Sequence, residues 1–485
     1  MISLIRDFGR TTRERWVLAT LAGIFNGIGF VYFGPASFIA NVPLLCALKH
    51  SRSYSEAGLL AGWVGFLGGV HIYGIVNYGW FLLLGFSLYT ASQMVIYGLL
   101  FRGLWRGRGG ILDILIVAAI WSLTEWMRTL GPICMPASYV GNIADVDWLR
   151  PWLVLSAWIG GIGVSSLVAL VQSLIFHGFI SSRQSRKSIS FATVFLGILG
   201  VAGSIQLNAE SGGQTVNVIG VQAGLANSQY HAATADPAAQ DGVVGTFETL
   251  TQRAYKDRAD FVVWPETAIR GPVFRDETLQ ERLFPGKTDP SILLAGLIEH
   301  NKEGKRFNVV ASVLPGGQVD DIYRKVRLVP GTESHLTPGR SVRAIRAGPN
   351  HVGVMICLES VYPDMARRLV ETGAEFLVIA SNDAGFGFSP ITRHMTNRAI
   401  VRAMETRRWL IRVGQAGISA IVSPNGVVMD RLGLFEPGLL KGQIKLSQAQ
   451  TLFVQFGDWW MFLIFVIVGF RGWSVRSKPS IQAPV

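Results

Sequence analysis

The fold of this chain is decided by the stretch Gly353-Val-Met-Ile-Cys357-Leu-Glu359-Ser-Val-Tyr-Pro363. Its first half is an apolar run typical of a buried strand, and a proline is common in the first turn of a helix. The pattern predicts a strand that ends at Cys357 and a helix that begins near Pro363. A nucleophile fits this position, although a lone cysteine is also among the residues most often buried for packing alone.

Two further segments place charged side chains in similar surroundings. Glu266 follows the apolar run Phe261-Val-Val-Trp264, and Lys325 lies in Tyr323-Arg-Lys-Val-Arg-Leu-Val-Pro330. Taken singly, the carboxylate also fits a surface loop, and the lysine also fits a solvated run of charges. Beside Cys357, however, a carboxylate can accept the thiol proton, while an ammonium and the positive end of a helix both favour the thiolate. We expect these effects to make the thiol a better nucleophile.

The composition is that of a membrane protein. Of the 485 residues, 49% are hydrophobic and only 16% are charged, and the mean hydropathy is +0.35. The net charge of +12 does not indicate nucleic-acid binding, because the basic residues cluster at the edges of apolar runs and no zinc-finger, helix-turn-helix or aromatic-stacking motif is present. The three cysteines, Cys46, Cys134 and Cys357, lack metal-ligand spacing, so we expect neither a metal site nor a disulfide framework.

Apolar runs that approach the ~20 residues needed to cross a bilayer are the main feature outside the central region. They lie near 16–33, 36–48, 57–77, 79–102, 111–129, 151–179, 188–206 and 458–472. If the basic clusters at their ends are all cytoplasmic, the runs alternate in direction without conflict, and both chain ends lie inside. This predicts a bundle of seven transmembrane helices in 1–208, an extracytoplasmic domain in 209–456, a final transmembrane helix in 457–473 and a cytoplasmic tail in 474–485.

The polar region between the seventh and eighth runs alternates strand and helix patterns. We predict strands near 215–222, 260–264, 291–298, 307–314, 351–357, 376–381, 409–414 and 418–423, and helices near 244–258, 364–373 and 392–407. Such alternation favours a layered α/β domain in which helices cover a sheet.

These segments resemble the apolipoprotein N-acyltransferases, which are membrane-embedded members of the nitrilase superfamily with a carbon-nitrogen hydrolase domain. The resemblance rests on Trp264-Pro-Glu266-Thr, Tyr323-x-Lys325-x-x-Leu-Val-Pro-x-x-Glu333, Ile356-Cys357-x-Glu359 and Ser381-Asn-Asp-Ala-x-Phe-Gly387. It implies an α-helical membrane bundle of about eight transmembrane helices together with a nitrilase-like α/β domain, an αββα sandwich.

The resemblance also implies a site and a reaction. Cys357 would be the nucleophile, Glu266 the general base and Lys325 the stabiliser of the oxyanion, while Glu333 and Glu359 would be supporting carboxylates that orient the amine and the base. The implied activity moves an acyl chain from a phospholipid, through a cysteine thioester, to the N-terminal amine of a diacylglyceryl-cysteine lipoprotein. No metal or organic cofactor is expected, and the implied location is the bacterial cytoplasmic membrane.

The sequence departs from the family pattern at two loops that, by the resemblance, would contact lipid or acceptor. Gly385 stands where the family usually has a tryptophan, and Gly131-Pro-Ile-Cys-Met-Pro-Ala-Ser138 replaces a Gly-Phe-Pro-Trp-like loop. Gly385, Phe386 and Asn382 are therefore the candidate substrate-binding residues. A membrane-anchored amidase, or a divergent acyltransferase that uses another amine, is the alternative enzyme. A transporter with an inactive soluble domain is a further class, but the chain has no repeated halves with broken spans.

Overall fold

The computed structural model describes residues 9–130, 139–179, 183–208, 212–271 and 273–476. The loop 131–138, with Cys134, and residues 477–485 of the expected tail lie outside these ranges. The chain forms two compact units: the second is Leu207–Gly457, and the first combines Met1–Gln206 with Asp458–Val485. The second unit is thus an insertion, in sequence, into the first.

Helices dominate the first unit. They are α1 (Thr12–Val31), α2 (Val42–Lys49), α3 (Tyr54–Val70), α4 (Trp80–Leu104), α5 (Ile111–Met127), α6 (Tyr139–Ile143), α7 (Arg150–Leu153), α8 (Ser156–Phe179), α9 (Arg183–Leu207) and, near the end of the chain, a helix labelled α16 (Met461–Arg476). Helix α1 begins with a capping box. The Glu14 N–H donates to Thr11 Oγ1 at 3.2 Å, and the Thr11 N–H donates to Glu14 Oε2 at 3.0 Å.

Among the residues that the structure describes, three helices are long and apolar enough to cross a membrane: α4, α8 and the segment Arg186–Leu207 of α9. The expected second span near 36–48 is wrong as a single crossing helix. It consists of a 3-10 helix, Gly34–Phe38, followed by the eight-residue α2. Eight helical residues rise only about 12 Å, against roughly 30 Å of hydrocarbon. The structure therefore supports a helical membrane region, while a count of eight transmembrane helices is not confirmed.

The last helix is tied to the earlier ones by a buried ion pair. Arg471, on α16, pairs with Asp113, on α5, and its Nε donates to the carbonyl oxygen of Leu104 at 2.8 Å. The Asp113 carboxylate also accepts the backbone N–H groups of Arg108 at 2.5 Å and Gly109 at 3.0 Å. Asp113 thus receives hydrogen bonds from its own neighbourhood and its counter-ion from the last helix.

Two six-stranded sheets form the second unit. The first contains β1 (Thr215–Gln222), β2 (Phe261–Val263), β3 (Ile292–His300), β4 (Arg306–Val313), β5 (Val319–Arg324) and β12 (Gly438–Lys445), in the order β12-β1-β2-β3-β4-β5. The second contains β6 (Ile345–Ala347), β7 (Asn350–Ile356), β8 (Phe376–Ser381), β9 (Leu410–Gly414), β10 (Ser419–Val422) and β11 (Val428–Leu432), in the order β11-β10-β9-β8-β7-β6. Strands β1, β2 and β3 run parallel, as do β7, β8 and β9.

The two sheets pack face to face, with helices on their outer sides. Phe261 on β2 meets Phe376 on β8 with ring centroids 5.0 Å apart. The helices are α10 (Asn227–Ala235), α11 (Pro237–Lys256), α12 (Glu277–Leu283), α13 (Pro363–Glu371), α14 (Pro390–Thr406) and α15 (Leu452–Phe456). Phe247 on α11 packs on Trp264 beneath the first sheet, at 5.3 Å. The predicted α/β domain is confirmed in this layered form.

Candidate active site

Strand ends bring the charged residues of the predicted site together. Glu266 follows β2, the first sheet's short central strand, and Asn382 follows β8 in the second sheet. The Asn382 N–H donates to Glu266 Oε2 at 3.0 Å. Because both strands are parallel to their neighbours inside buried sheets, the loops after them meet at one edge of the sandwich. Glu266 is therefore held by both sheets at once.

The ammonium of Lys325 lies between two carboxylates. Its Nζ donates to Glu266 Oε1 at 2.8 Å and to Glu333 Oε1 at 2.9 Å. The side chain of Asn308, on β4, donates to the same two oxygens, at 2.7 Å and 3.0 Å. Burial alone would lower the pKa of Lys325, but the negative charges of Glu266 and Glu333 and the hydrogen bond to Glu266 outweigh it and hold the pKa above its ordinary value. Lys325 is thus a permanent cation with a fixed direction.

The backbone at Cys357 is strained. Its φ is 49°, in the left-handed region that residues with a Cβ rarely adopt. A 3-10 helix, Cys357–Val361, begins there, and α13 starts only after it. The Ser360 hydroxyl donates to the Cys357 carbonyl oxygen at 2.7 Å, which helps to hold the turn. The predicted strand end at this cysteine and the predicted helix that begins at Pro363 are both confirmed, and the 3-10 turn between them was not predicted.

The thiol is buried, and burial decides its protonation. Removal from water raises the pKa of Cys357 well above its ordinary value, and the charges of Glu266 and Asp383 raise it further. Lys325 lowers it, as expected from the sequence, and so does a hydrogen bond with the Ser381 side chain. These two effects act in the expected direction but do not outweigh burial. A base must take the proton during the reaction.

Glu359 organises backbone instead of touching the base. Its carboxylate accepts the N–H groups of Ile356 at 2.8 Å and Val326 at 2.7 Å. The Tyr323 hydroxyl donates to both of its oxygens, at 3.0 and 3.1 Å. Burial raises the pKa of Glu359 to about 6, while the backbone hydrogen bonds oppose that rise. This carboxylate joins the segment after Lys325 to the end of β7, which carries Cys357.

Glu333 has a more direct position than Glu359. Besides its contact with the Lys325 ammonium, its Oε2 accepts the Val329 N–H at 2.7 Å. The loop from Val329 to Glu333 is therefore closed by its own carboxylate, which then fixes the lysine. This geometry agrees with the predicted role of Glu333 in orienting the amine, which stays a prediction.

A buried polar cluster behind the thiol was not predicted. The Ser381 hydroxyl donates to Asp383 Oδ1 at 2.6 Å, and Arg412, in the middle of β9, forms an ion pair with Asp383. Asn308 was not predicted either, because a residue inside an apolar strand is typical of the hydrophobic core. The sequence did contain a signal for Asp383, which lies in the Ser381-Asn-Asp-Ala motif. The signal for Arg412 was weaker: it is a charged residue within the apolar segment Leu410-Ile-Arg-Val-Gly414.

The candidate substrate-binding residues lie beside Glu266. Asn382 reaches it through its backbone N–H, not through its side chain. Gly385 and Phe386 belong to a 3-10 helix, Ala384–Phe386, and both are half-buried. Phe388, just beyond, is 80% exposed and packs on Phe435 with ring centroids 5.4 Å apart.

Residues 224–452 match the carbon-nitrogen hydrolase family, and residues 22–174 match the N-terminal domain of apolipoprotein N-acyltransferases. The chain belongs to the apolipoprotein N-acyltransferase family. The apolipoprotein N-acyltransferase of Geobacter metallireducens is 26% identical over 93% of this chain and 93% of its own length. That of Thermotoga maritima is 24% identical over 91% of this chain and 83% of its own.

Among solved structures, Saccharomyces cerevisiae Nit3, a member of branch 10 of the nitrilase superfamily, is 19% identical, with a TM-score of 0.39, over 48% of this chain and 90% of that one. The family inferred from the sequence motifs is confirmed by the two family matches and by the curated relatives, which cover both parts of the chain. The second of the two units carries the hydrolase match, and the first carries the N-terminal one.

Proposed function

We propose that this protein is an acyltransferase that moves an acyl chain from a phospholipid, through a thioester on Cys357, to the N-terminal amine of a diacylglyceryl-cysteine lipoprotein. The observation that carries the proposal is the Lys325 ammonium, buried between Glu266 and Glu333 and close enough to the Cys357 thiol to lower its pKa. A buried, oriented cation beside a nucleophile is what a developing oxyanion requires.

In the first step Glu266 accepts the thiol proton, and Cys357 Sγ attacks the carbonyl carbon of a phospholipid ester. The carbonyl oxygen becomes an oxyanion that the Lys325 ammonium stabilises. As the carbonyl reforms, the carbon–oxygen bond to glycerol breaks, and Glu266 returns its proton to the leaving alkoxide. The products are a lysophospholipid and an acyl thioester on Cys357.

In the second step the amine of the acceptor attacks the thioester carbonyl. Glu266 takes a proton from the amine nitrogen, Lys325 again stabilises the oxyanion, and the carbon–sulfur bond breaks. The leaving Cys357 thiolate recovers the proton from Glu266, so the enzyme returns to its starting state with one amide formed. Neither step as written requires a metal or an organic cofactor.

The test is the intact mass of the purified full-length protein after incubation with phospholipid. We expect an added acyl mass that maps to Cys357 and is absent from Cys357→Ala. Glu266→Gln and Lys325→Met should each slow adduct formation by at least ~100-fold. Lys441→Met is the matched control, because Lys441 makes a half-exposed pair with Asp257, of a kind that contributes little. An adduct that persists in Cys357→Ala would refute the proposal.

The identity of the acceptor is tested by measuring transfer of the acyl chain from the thioester to an amine. Gly385 removes up to ~250 Å² of aromatic surface relative to the usual tryptophan, so we expect transfer to a diacylglyceryl lipopeptide to be the slower half-reaction. Gly385→Trp should then accelerate this transfer more than it accelerates adduct formation. Release of free fatty acid without transfer to any amine would instead indicate a membrane-anchored hydrolase or amidase.

For the membrane arrangement, we propose that residues 1–208 and 457–473 lie in the cytoplasmic membrane of a bacterium. Residues 209–456 face the extracytoplasmic side, and the tail 474–485 is cytoplasmic. The three long apolar helices and the basic residues at helix ends support this arrangement. A single cysteine placed in the segment 232–242 should react with a membrane-impermeant maleimide in intact spheroplasts. Labelling that requires permeabilised membranes would reverse the orientation.

A further inference from the structure

A surface cavity of about 370 Å³ lies at the edge of the first sheet, beside the edge strand β5. Its volume falls within the range of small-molecule sites, which begins at about 300 Å³. The candidate catalytic residues Glu266, Lys325 and Cys357 do not line it, so the cavity is not the candidate active site. The lining residues come from three segments of the second unit: 301–307, 322–324 and 337–343.

Positive charge dominates the lining of this cavity. Among the described side chains that line it, four are cations and one is an acid: Lys305, Arg324, Arg340, Arg343 and Glu303. The acid is itself paired with Lys305 at 3.1 Å. Glu299 and Asp321, the carboxylates that pair with two of the arginines, do not belong to the lining. The cavity therefore favours an anion.

Two of the lining arginines are already ordered by other residues. Arg324 Nε and Nη2 donate to Glu299 at 2.6 and 2.7 Å, and the guanidinium lies 5.0 Å from the centroid of the Phe307 ring. Arg343 Nη1 and Nη2 donate to Asp321, both at 2.7 Å. A guanidinium has five N–H donors, so each arginine keeps donors for a ligand. Because these side chains are ordered beforehand, binding loses less conformational entropy.

The loop on the other side of the cavity presents a free cation and a free hydroxyl. The side chains of Arg340 and Ser341 are exposed and form no hydrogen bond or ion pair with another described residue. The backbone before them is fixed, since the Gly339 N–H donates to the Lys325 carbonyl oxygen at 2.7 Å. A Cβ on Gly339 would collide with the Arg324 carbonyl oxygen. Arg340 and Ser341 therefore belong to a loop that packs closely on the end of β5.

We propose that this cavity binds a small organic phosphate ester. Guanidinium groups match phosphate oxygens with parallel, charge-assisted hydrogen bonds. We assign the phosphate to Arg340, Arg324 and the Ser341 hydroxyl, and the organic part to the apolar wall of Phe307 and Ile322. The headgroup of a glycerophospholipid and a soluble phosphate ester share this chemistry. The proposal does not depend on acyl transfer.

A bound ester would connect the two segments that hold the backbone of Lys325. Arg324 precedes the lysine in the chain, and Gly339 is bonded to its carbonyl oxygen. Hydrogen exchange therefore gives a direct readout of where the ester binds. The backbone N–H groups of 337–343 should exchange more slowly in the presence of the ester, while those of α11, on which no lining residue lies, should be unchanged.

The affinity test is calorimetric titration of the full-length protein in detergent with glycerol phosphate, at an ionic strength of about 0.15 M. Glycerol is the uncharged comparison. We expect saturable binding of the ester and none of glycerol. Arg340→Gln should weaken binding at least ~10-fold, the scale of a lost charge-assisted hydrogen bond. Ser341→Phe should abolish binding, because the ring fills the cavity without a change of charge.

Arg346→Gln is the matched control. Arg346 lies on β6, close to the cavity but outside its lining; its N–H donates to Asp321 at 3.1 Å, and its exposed side chain pairs with Asp320 at 3.4 Å. The variant removes the same charge, and binding should weaken less than ~2-fold, because exposed charges are screened. Equal weakening in Arg340→Gln and Arg346→Gln would overturn the proposal, as would binding that survives Ser341→Phe or the absence of saturable binding.

Dihexanoyl phosphatidylglycerol, used below its micelle concentration, distinguishes the two sources of the ester. Displacement of glycerol phosphate by this lipid would assign the cavity to a lipid headgroup, and binding without displacement would assign it to a soluble ester. Cys357→Ala should bind glycerol phosphate with unchanged affinity. Failure of acyl transfer and failure of this site are therefore observed separately.

Discussion

Cys357 is held in a conformation that its own side chain disfavours. A left-handed φ costs a residue with a Cβ roughly 1–2 kcal/mol, and the surrounding hydrogen bonds maintain it. Ser360 holds the carbonyl, and Glu359 holds the N–H of Ile356, the residue before. The strain therefore lies at the residue that directly follows β7.

This strain gives a prediction that reverses the usual effect of glycine. Because glycine adopts φ of 49° without cost, Cys357→Gly should be more stable than Cys357→Ala, by about 1 kcal/mol. The measurement is thermal unfolding of both variants in detergent. Cys46, in the middle of α2, gives the control pair: there Cys46→Gly should be less stable than Cys46→Ala by about 1 kcal/mol. If the glycine variant is less stable than the alanine variant at both positions, the turn at Cys357 carries no strain.

Glu359 predicts a pH dependence of stability. Its pKa rises from the ordinary 4.5 to about 6 on folding, chiefly through burial, so between these values the folded protein binds the proton more tightly than the unfolded chain. Its contribution to stability is therefore greatest below pH 4.5 and falls by about 2 kcal/mol as the pH rises through 6.

The difference in unfolding free energy between the unmodified protein and Glu359→Gln isolates this effect. Denaturant titrations should show the difference shrinking by about 2 kcal/mol from pH 4.5 to pH 7. Glu371→Gln, at a partly exposed helix position, is the control. A difference that grows with pH would mean that the backbone hydrogen bonds outweigh burial.

At the scale of elements, close approach between β3 and the Glu266 loop sets the position of the base. Gly296 on β3 has no room for a Cβ, which would collide with the Pro265 carbonyl and lie 3.1 Å from Glu266 Cα. Gly296→Ala should therefore push the base away from Lys325 and slow adduct formation at least ~10-fold, since misplacement by about 1 Å costs up to 100-fold.

The matched control is Gly242→Ala on α11, where nothing lies within 4 Å of the added Cβ. That variant should retain its rate and gain stability of roughly 0.5–1 kcal/mol from the better helix propensity. Gly296→Ala with an unchanged rate and an unchanged Lys325–Glu266 contact would show that the loop can shift without loss.

Strands and helices of the second unit were predictable where a local sequence pattern alone identifies them. All eight predicted strands are present to within two residues, because each is a short apolar run bounded by turn residues. The helix predicted at 244–258 starts earlier, at Pro237, capped by Asp236. Four strands were not predicted: β5, β6, β11 and β12. Of these, β5 and β12 carry charged residues at solvent-facing positions, so they lack an apolar run. Their pairing becomes evident only once the partner strands, which are distant in sequence, are known.

The residues of the candidate site also differ in how far the sequence alone could predict them. Glu266 and Cys357 each follow an apolar run, where an isolated polar residue is conspicuous. Lys325 follows the charged strand β5 and was predicted only through the family motif. Asn308 and Arg412 lie inside strands and have partners about 40 and 30 positions away, Glu266 and Asp383. The local pattern gives no signal for Asn308, and for Arg412 it gives only a charge inside an apolar strand.

At the scale of the whole molecule, the buried pair between Arg471 and Asp113 joins parts of the first unit that lie on opposite sides of the second in sequence. Arg471→Met would leave Asp113 without its counter-ion and should lower stability by about 3–5 kcal/mol. Thermal unfolding in detergent measures it. Adding Asp113→Asn should recover much of the loss, since the amide oxygen still accepts the Arg108 and Gly109 N–H groups. Additive losses in the double variant would show that the two charges do not interact.

The pairing of β1 with β12 has a consequence for biosynthesis. Thr215 lies opposite Lys445 and Gln222 opposite Gly438, so the first strand of the second unit finds its antiparallel partner only at the unit's far end. At 5–20 residues per second, the roughly 200 residues between them occupy the ribosome for about 10–40 s. Through that interval one edge of β1 is bare, and bare edges recruit other strands. A nascent chain arrested before Gly438 should therefore be an aggregation and protease target, whereas a chain that extends past Lys445 can complete the first sheet.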